Sequence, residues 1–314
     1  MRVLVTGGAG FIGSHVVEAL VGAGHRVEVL DDLSTGDLRH LPAGVPLHRA
    51  DVASPEAAAL VEALRPDAVL HLAAQVSAAA SVRDPVADLR ANALGTLNVL
   101  EACRRAGVRR FVYASSAAVY GQPERLPLSE DAPLRPLRPY GASKLAGEVY
   151  VRLYGDLYGL DFVILRFANV YGPRQAVTGE GAVVPAFATA MLAGTGGRGP
   201  GPVVHGDGRQ TRDFVHVRDV ARAHLLALWA GSGAILNLAT GRAVTVLDLW
   251  RRIAALTGWD RPPVFGPPRP GDIPHSVLDP SRARQALGWE PATGLDEGLR
   301  ETVAYYREVA GEPS

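Results

Sequence analysis

The chain of 314 residues is 47% hydrophobic and 20% charged with a formal net charge of zero, the balance of an ordinary globular protein whose core needs no staples. Zero net charge supplies no field to draw nucleic acid or an anionic membrane surface, no run of eighteen apolar residues predicts a membrane span, and the one cysteine, Cys103, excludes an internal disulfide and fits a reducing compartment. The opening MRVLVT runs into a turn where a signal peptide would carry a long apolar stretch, which predicts a cytoplasmic protein.

Short β-branched runs alternate with longer amphipathic ones through the first half. Strands are expected over 2–6, 26–32, 46–51, 68–74, 110–116 and 162–170, and helices over 12–23, 54–64, 86–106 and 141–158. Such alternation predicts an α/β fold with a doubly wound parallel sheet. After residue 172 the texture changes: GPRQAVTGEGAVVP and GTGGRGPGP read as loops. Helical patterns return at 218–230, 245–257, 281–287 and 295–309, with a strand at 234–240. The expected organisation is a nucleotide-binding domain over 1–172, to which about 205–240 partly returns, and a smaller α+β lobe over 173–314. Ligands of doubly wound sheets lie beyond the carboxyl ends of the strands, so the cleft between the lobes is the expected site.

GGAGFIG follows the first strand and precedes the first helix, the context in which a glycine pattern has meaning. Gly7, Gly10 and Gly13 permit a tight turn, backbone approach to a pyrophosphate and close helix packing, with the phosphates at the helix N-terminus. Asp31 ends the second strand, where a carboxylate accepts both ribose hydroxyls and repels a 2′-phosphate, selecting NAD over NADP. Asp31 and Asp32 also suit a turn before LSTG, and the two roles are compatible. Asp51 ends the third strand, within reach of an adenine amino group or as a plain loop aspartate.

PYGASKLAGE holds the only lysine, Lys144, in a chain whose other cations are arginine. The exception points to a position that needs a compact ammonium and not a planar fork. Tyr140 lies one helical turn before it, and Ser116 ends the strand RFVYASS at the ligand-binding edge. Tyrosine is a poor base at its free pKa of about 10, and an adjacent ammonium lowers that value by stabilising phenolate. The nine histidines lack metal-ligand spacing, so no metal site is expected. His71 and His216, inside apolar strand-like runs, are expected to be buried and hydrogen-bonded.

GGAGFIG, HLAAQ, SSAAVYG, YGASK and NVYGPRQ, in this order, resemble the extended short-chain dehydrogenase/reductases. The later GRQTRDFVHVRDV and PPRPGDIPHSVLD resemble the nucleotide-sugar epimerases, most of all those acting at carbon 4 of UDP-hexoses. The resemblance spans nearly the whole chain and implies a Rossmann sheet and an NAD that stays bound between turnovers. It implies that Tyr140 takes the proton of the sugar 4-hydroxyl while hydride leaves carbon 4 for NAD, that Ser116 shares the proton's path, and that the 4-keto sugar turns over before hydride returns. Phe11, Ile12, Asp31, Asp32, Ser34, Gly36, Asp51, Val52, Leu72, Ala73, Ala74, Gln75 and Asn92 are implied to line the cofactor, with Lys144 on its ribose. Asn169, Arg212 and Arg269 are implied to hold the UDP-sugar, Asp272 the uridine ribose, and Ser276 the surroundings of the sugar's carbon 2 substituent. A homodimer is implied, through a four-helix bundle from about 86–106 and 141–158, the latter carrying Tyr150, Leu153, Tyr154 and Leu157 at helical spacing.

Sister enzymes of the family that eliminate water or lose carbon dioxide carry an acid beside the serine. Here Ala117 and Ala118 follow Ser116, and methyl groups cannot shuttle protons. UDP-glucuronate 4-epimerases resemble the chain at the same motifs, so the sugar stays open. A non-catalytic dinucleotide-binding regulator on the same scaffold is the reading of another class, and the joint presence of Ser116, Tyr140 and Lys144 argues against it. Without the resemblance, Arg212 and Arg269 are two arginines among many, and Asp272 and Ser276 are loop residues.

Overall fold

The inner strands are apolar on both sides, as a parallel sheet covered on both faces requires; in β1 (Arg2–Thr6) every residue after the first is buried. In the computed structural model, which describes residues 1–177, 181–194, 201–269 and 271–311, the first half runs α1 (Phe11–Gly22), β2 (Arg26–Asp31), β3 (Leu47–Arg49), α2 (Pro55–Leu64), β4 (Ala68–His71), α3 (Ala78–Arg83), α4 (Pro85–Leu89), α5 (Gly95–Ala106), β5 (Arg110–Ser116), α6 (Pro139–Tyr158) and β6 (Asp161–Phe167). The second half runs β7 (Asn169–Tyr171), α7 (Val183–Ala193), β8 (Val203–His205), β9 (Thr211–Arg212), β10 (Phe214–His216), α8 (Val217–Leu226), β11 (Ala234–Leu238), β12 (Val244–Thr245), α9 (Val246–Thr257), β13 (Val264–Gly266), α10 (Ser281–Leu287) and α11 (Leu295–Val309). Local chemistry sets many boundaries. Ser54 accepts from the Ala57 amide at 3.2 Å and Pro55 opens α2, while α6 opens on Pro139 and stops at left-handed Gly159.

Seven strands form one sheet in the order β11-β6-β5-β4-β1-β2-β3, every pair parallel. One face packs Val3, Val5 and Val112 against Val16 and Leu20 of α1 and Val220 of α8. The other packs Leu4, Val69 and Phe111 against Val61 of α2, Leu100 of α5 and Val151 of α6. Each large aliphatic so buried contributes about 1.5–3 kcal/mol, so this double-sided core fixes the sheet on which the site is built. The chain is thus a doubly wound Rossmann-type α/β protein. Beyond the sheet, α7, α9 and α11 share a third core of Phe187, Met191, Leu249, Ile253 and Leu299, accompanied by short two-stranded pairings, β7 with β10, β9 with β12 and β8 with β13. No helix among the described residues is long and apolar enough to cross a membrane.

Several sequence expectations shift. The helix expected over 86–106 is α4 and α5 joined by a π-helical turn, Arg90–Leu94. The strand expected over 162–170 breaks at Ala168, whose amide still bonds Leu238 while Asn169 bonds Asp213; the chain steps there from the main sheet to the β7–β10 pair. Val183–Ala193, which includes the end of an expected loop, is α7. The loop readings at 178–180 and 195–200 lie outside the described residues. The run 46–51 narrows to β3, and the run 68–74 ends at His71.

Candidate active site

The glycine turn is forced by contact as well as by conformation. Gly7 sits at φ +70°, and a Cβ there would lie 2.6 Å from the Ala73 amide nitrogen, while one on Gly13 would strike the Gly7 carbonyl. Gly10 caps α1 without a side chain, and no acidic residue occupies the helix's first turn. That leaves an N-terminus suited to a pyrophosphate, with Phe11 and Ile12 as its first residues. Asp31 is buried, its Oδ2 accepting from the Ala9 amide at 3.0 Å and its Oδ1 from the Leu33 amide at 2.8 Å. Burial pushes its carboxyl up and the two amide bonds pull it back; its remaining lone pairs suit ribose hydroxyls. Gly36 closes against it, since a Cβ there would stand 2.9 Å from Asp31 Oδ1. These residues fit a dinucleotide.

The other residues implied for the cofactor divide by how they are held. Asp32 and Ser34 are exposed and bonded to each other, hydroxyl to carboxylate at 2.6 Å. Asp51 accepts from Ala53 at 2.8 Å and from Arg90 at 3.0 Å, next to buried Val52. Leu72, Ala73, Ala74 and Gln75 continue from the end of β4, half-buried. Asn92, in the π-helical turn, spends its amide within the protein: Oδ1 accepts from the Gln75 amide at 2.8 Å, and Nδ2 donates to Gln75 O, Asp88 Oδ1 and Ser143 Oγ. Its side chain braces the loop after β4 and leaves little for a ligand.

At the other end of the site, Ser116 closes β5, its hydroxyl oxygen accepting from the Ala118 amide at 3.2 Å. Helix α6 begins against that turn, for a Cβ on Gly141 would lie 2.5 Å from the Ala118 carbonyl. Tyr140, one residue earlier and 7% exposed, therefore starts its helix beside the turn that Ser116 caps. Lys144 is 3% exposed, donates to Ala114 O at 2.9 Å and holds its ammonium 5.3 Å from the Tyr113 ring centre. Burial pulls its pKa down to about 8, against the opposing pull of Asp88 and Glu148.

The residues implied for the sugar nucleotide lie on other elements. Asn169 opens β7, its amide bonded to Asp213 O at 2.9 Å. Arg212 on β9 pairs with Asp272 and donates to Thr211 O at 2.8 Å, so its guanidinium already has a carboxylate partner. Ser276 is pinned by its amide to Thr211 O at 3.1 Å. Arg269 and Asp272 line a cleft of about 900 Å³ with His205, Leu247 and Phe265. Ser116, Tyr140, Lys144 and Arg212 are not among its walls. His71 is held as expected, Nδ1 to Thr6 at 2.8 Å and Nε2 to Thr96 at 3.1 Å. His216 departs from expectation: its Nδ1 meets the Arg218 amide at 3.4 Å, but its buried Nε2 has no hydrogen-bond partner among the described residues, because Glu301, at 3.8 Å, is drawn to Arg218.

Residues 3–239 match the NAD dependent epimerase/dehydratase family. The chain belongs to that family. A UDP-glucose 4-epimerase of Mycolicibacterium smegmatis is 44% identical over 98% of this chain and 99% of its own. Among solved structures, the UDP-glucose 4-epimerase of Thermotoga maritima with UDP-glucose superposes at a TM-score of 0.94, 42% identical over 99% of this chain and 100% of that one. The UDP-glucose 4-epimerase of Thermus thermophilus in complex with NAD does so at 0.91, 46% identical over 98% and 99%. NAD is the cofactor of the epimerase/dehydratase family, and the glycine turn with Asp31 is the part of this member that suits it.

Around Ser116 and Lys144 the structure adds residues that motif reading missed. Glu148, one turn beyond Lys144, accepts from Arg166 at 2.6 and 2.9 Å and from Ser115 at 2.5 Å, wholly buried. Arg166 also donates to Tyr120 Oη at 3.0 Å, and Tyr120 to Asn237 Oδ1 at 2.7 Å. The repeat of Tyr140, Lys144 and Glu148 at one-turn intervals was the available signal for Glu148.

Proposed function

We propose that the protein interconverts UDP-glucose and UDP-galactose by NAD-dependent epimerisation at carbon 4, and accepts UDP-N-acetylglucosamine as well. The observation that carries this reading is the turn after Ser116. Its first residues, Ala117 and Ala118, offer only methyl groups, and the helix that starts against it brings Tyr140, one turn ahead of a buried lysine. At that turn proton handling falls to Ser116 and Tyr140, which suits an oxidation and its reversal and no elimination. NAD, when bound, accepts a hydride from carbon 4 and gives it back.

The chain's own residues do the rest. Tyr140 as phenolate takes the 4-hydroxyl proton and later returns it. Ser116, whose oxygen is held by the Ala118 amide, has its hydroxyl hydrogen to donate to the same sugar oxygen. Lys144 as ammonium favours the phenolate and hydrogen-bonds the nicotinamide ribose. Arg212 and Arg269 meet the diphosphate, Arg212 by sharing its bond to Asp272, and Asn169 meets the sugar. The working unit is a cytoplasmic homodimer. Supporting it, Val82, Val86 and Leu89 on α3 and α4 and Tyr150, Leu153 and Leu157 on α6 form an exposed apolar set on elements that pack together. Tyr154, which the spacing had included, is buried and bonds Glu101 at 2.9 Å. Incubating the pure protein separately with UDP-glucose, UDP-N-acetylglucosamine and UDP-glucuronate and resolving the 4-epimers by chromatography tests the assignment; turnover of the uronate alone would overturn it.

A further inference from the structure

Asp88 on α4 is 1% exposed, and its two oxygens fare differently. Oδ1 accepts from Gln75 Nε2 at 2.8 Å and from Asn92 Nδ2 at 3.2 Å. Oδ2 is buried without a hydrogen-bond partner among the described residues. An ionised carboxylate so removed from water is costly unless an opposite charge lies close by. Its charge acts on Lys144, which lies on α6, the helix that α4 packs against. The same Asn92 amide that grips Asp88 also reaches Ser143 Oγ at 3.0 Å, so the residue before Lys144 and the carboxylate are clamped by one side chain.

The groups around the ammonium can be weighed in turn. Glu148, on the lysine's own helix, is matched by the bidentate Arg166, and its pull on Lys144 ranks below that of Asp88. His71 on β4 is held neutral, its pKa pulled down to about 3 by burial and then by Lys144. Tyr113 on β5 offers a ring face and a phenol that burial pushes up, hence uncharged. Tyr140, a turn earlier on α6, gains charge only as the reaction's base. Of the two carboxylates that act on Lys144, Asp88 is the one with no ion-pair partner of its own among the described residues.

We propose that Asp88 is the counter-charge that keeps Lys144 an ammonium, a positioning residue that acts on Tyr140 through Lys144 and sets the alkaline limit of turnover. The last clause rests on the reading of Tyr140 and Lys144 as the proton-handling pair; the Asp88–Lys144 coupling does not. Removing a negative charge lowers the pKa of a nearby ammonium, so an uncharged residue 88 should let Lys144 lose its proton at lower pH.

The chain has one lysine, which makes the coupling directly measurable. Enzyme with its NAD, labelled with lysine carrying carbon-13 at Cε, gives one lysine side-chain signal, and its chemical shift is followed against pH. In Asp88→Asn, and in Asp88→Ser should the amide not fold, the midpoint should fall by about one pH unit or more, and the alkaline limb of kcat should move with it. Asp88→Glu should stay near wild type in both. A merely structural role would lower kcat evenly across pH and leave the lysine midpoint in place, and that result overturns the proposal, as does a Glu variant displaced as far as Asn. The lysine signal is read whether or not sugar turns over. Full activity in Tyr140→Phe would sink the catalytic reading separately from the coupling.

Discussion

The Lys144 ammonium donates to the carbonyl of Ala114 at 2.9 Å, tying α6 to the strand that two residues later ends in Ser116. A buried slot that sets the cation 5.3 Å from the Tyr113 ring centre and against the Ala114 carbonyl suits a compact ammonium. A guanidinium spreads its donors over a plane and needs more width. Lys144→Arg should therefore keep the fold, by circular dichroism, yet lower kcat by about a hundredfold or more. Near-normal turnover would show that charge alone suffices there.

Tyr140→Phe removes one hydroxyl and leaves the glycine turn and Asp31 untouched. The variant should purify with NAD bound but fail to develop NADH absorbance when UDP-glucose is added, with kcat down by about 10² to 10⁴. Sugar-dependent absorbance rising at the wild-type rate would rule Tyr140 out as the base.

The glycine turn, the alternation of strands and helices and the Tyr–Lys pair were legible because each is local: a spacing, a period, an exceptional residue. The partnership of Asp88 with Gln75, and of Glu148 with Arg166, was not, since those pairs meet only after α4 packs on the loop that follows β4 and α6 packs on β6. Helix α7 escaped for another reason. Val184, Phe187, Ala188, Met191 and Leu192 are buried, but a proline and the Gly-rich flanks masked their periodicity. The break at Ala168 was hidden because β-branched residues continue through both strands that it separates.

Four histidines are buried, and in each the pKa is lowered first by burial: His15, His71, pulled down to about 3, and His216 and His224, each pulled down to about 4. Unfolded, each binds a proton below a pKa of about 6.5. Between that value and the folded ones the unfolded chain holds more protons, so stability rises with pH across the window and is lost as pH falls from about 6.5 toward 4. Melting temperature should drop steeply over that range, and His224→Phe should flatten the drop. An unchanged slope in the variant would exclude His224 as a contributor.

Light scattering at micromolar concentration should give twice the 33.1 kDa of one chain, and Leu153→Glu, on the exposed apolar side of α6, should shift it to a single chain. A wild-type mass of one chain refutes the homodimer.

Substrate breadth turns on Ser276. Its amide is bonded to Thr211 O at 3.1 Å and the Pro274 carbonyl to the Thr211 amide at 2.9 Å, which fixes the residue beside the strand that carries Arg212. On the proposed reading, a half-buried serine stands at that place where a tyrosine ring would lie next to the sugar's carbon 2 substituent. A hydroxyl tolerates such a ring, whereas an N-acetyl group overlaps it, and close-packed surroundings do not yield to relieve the overlap. Wild type should epimerise both UDP-glucose and UDP-N-acetylglucosamine, and Ser276→Tyr should lower kcat/KM for the acetylated sugar by about a hundredfold while changing the other only a few-fold, a difference of about 2–3 kcal/mol in transition-state binding. Equal losses on both sugars, or a wild type that leaves the acetylated sugar untouched, would show that Ser276 does not gate the pocket.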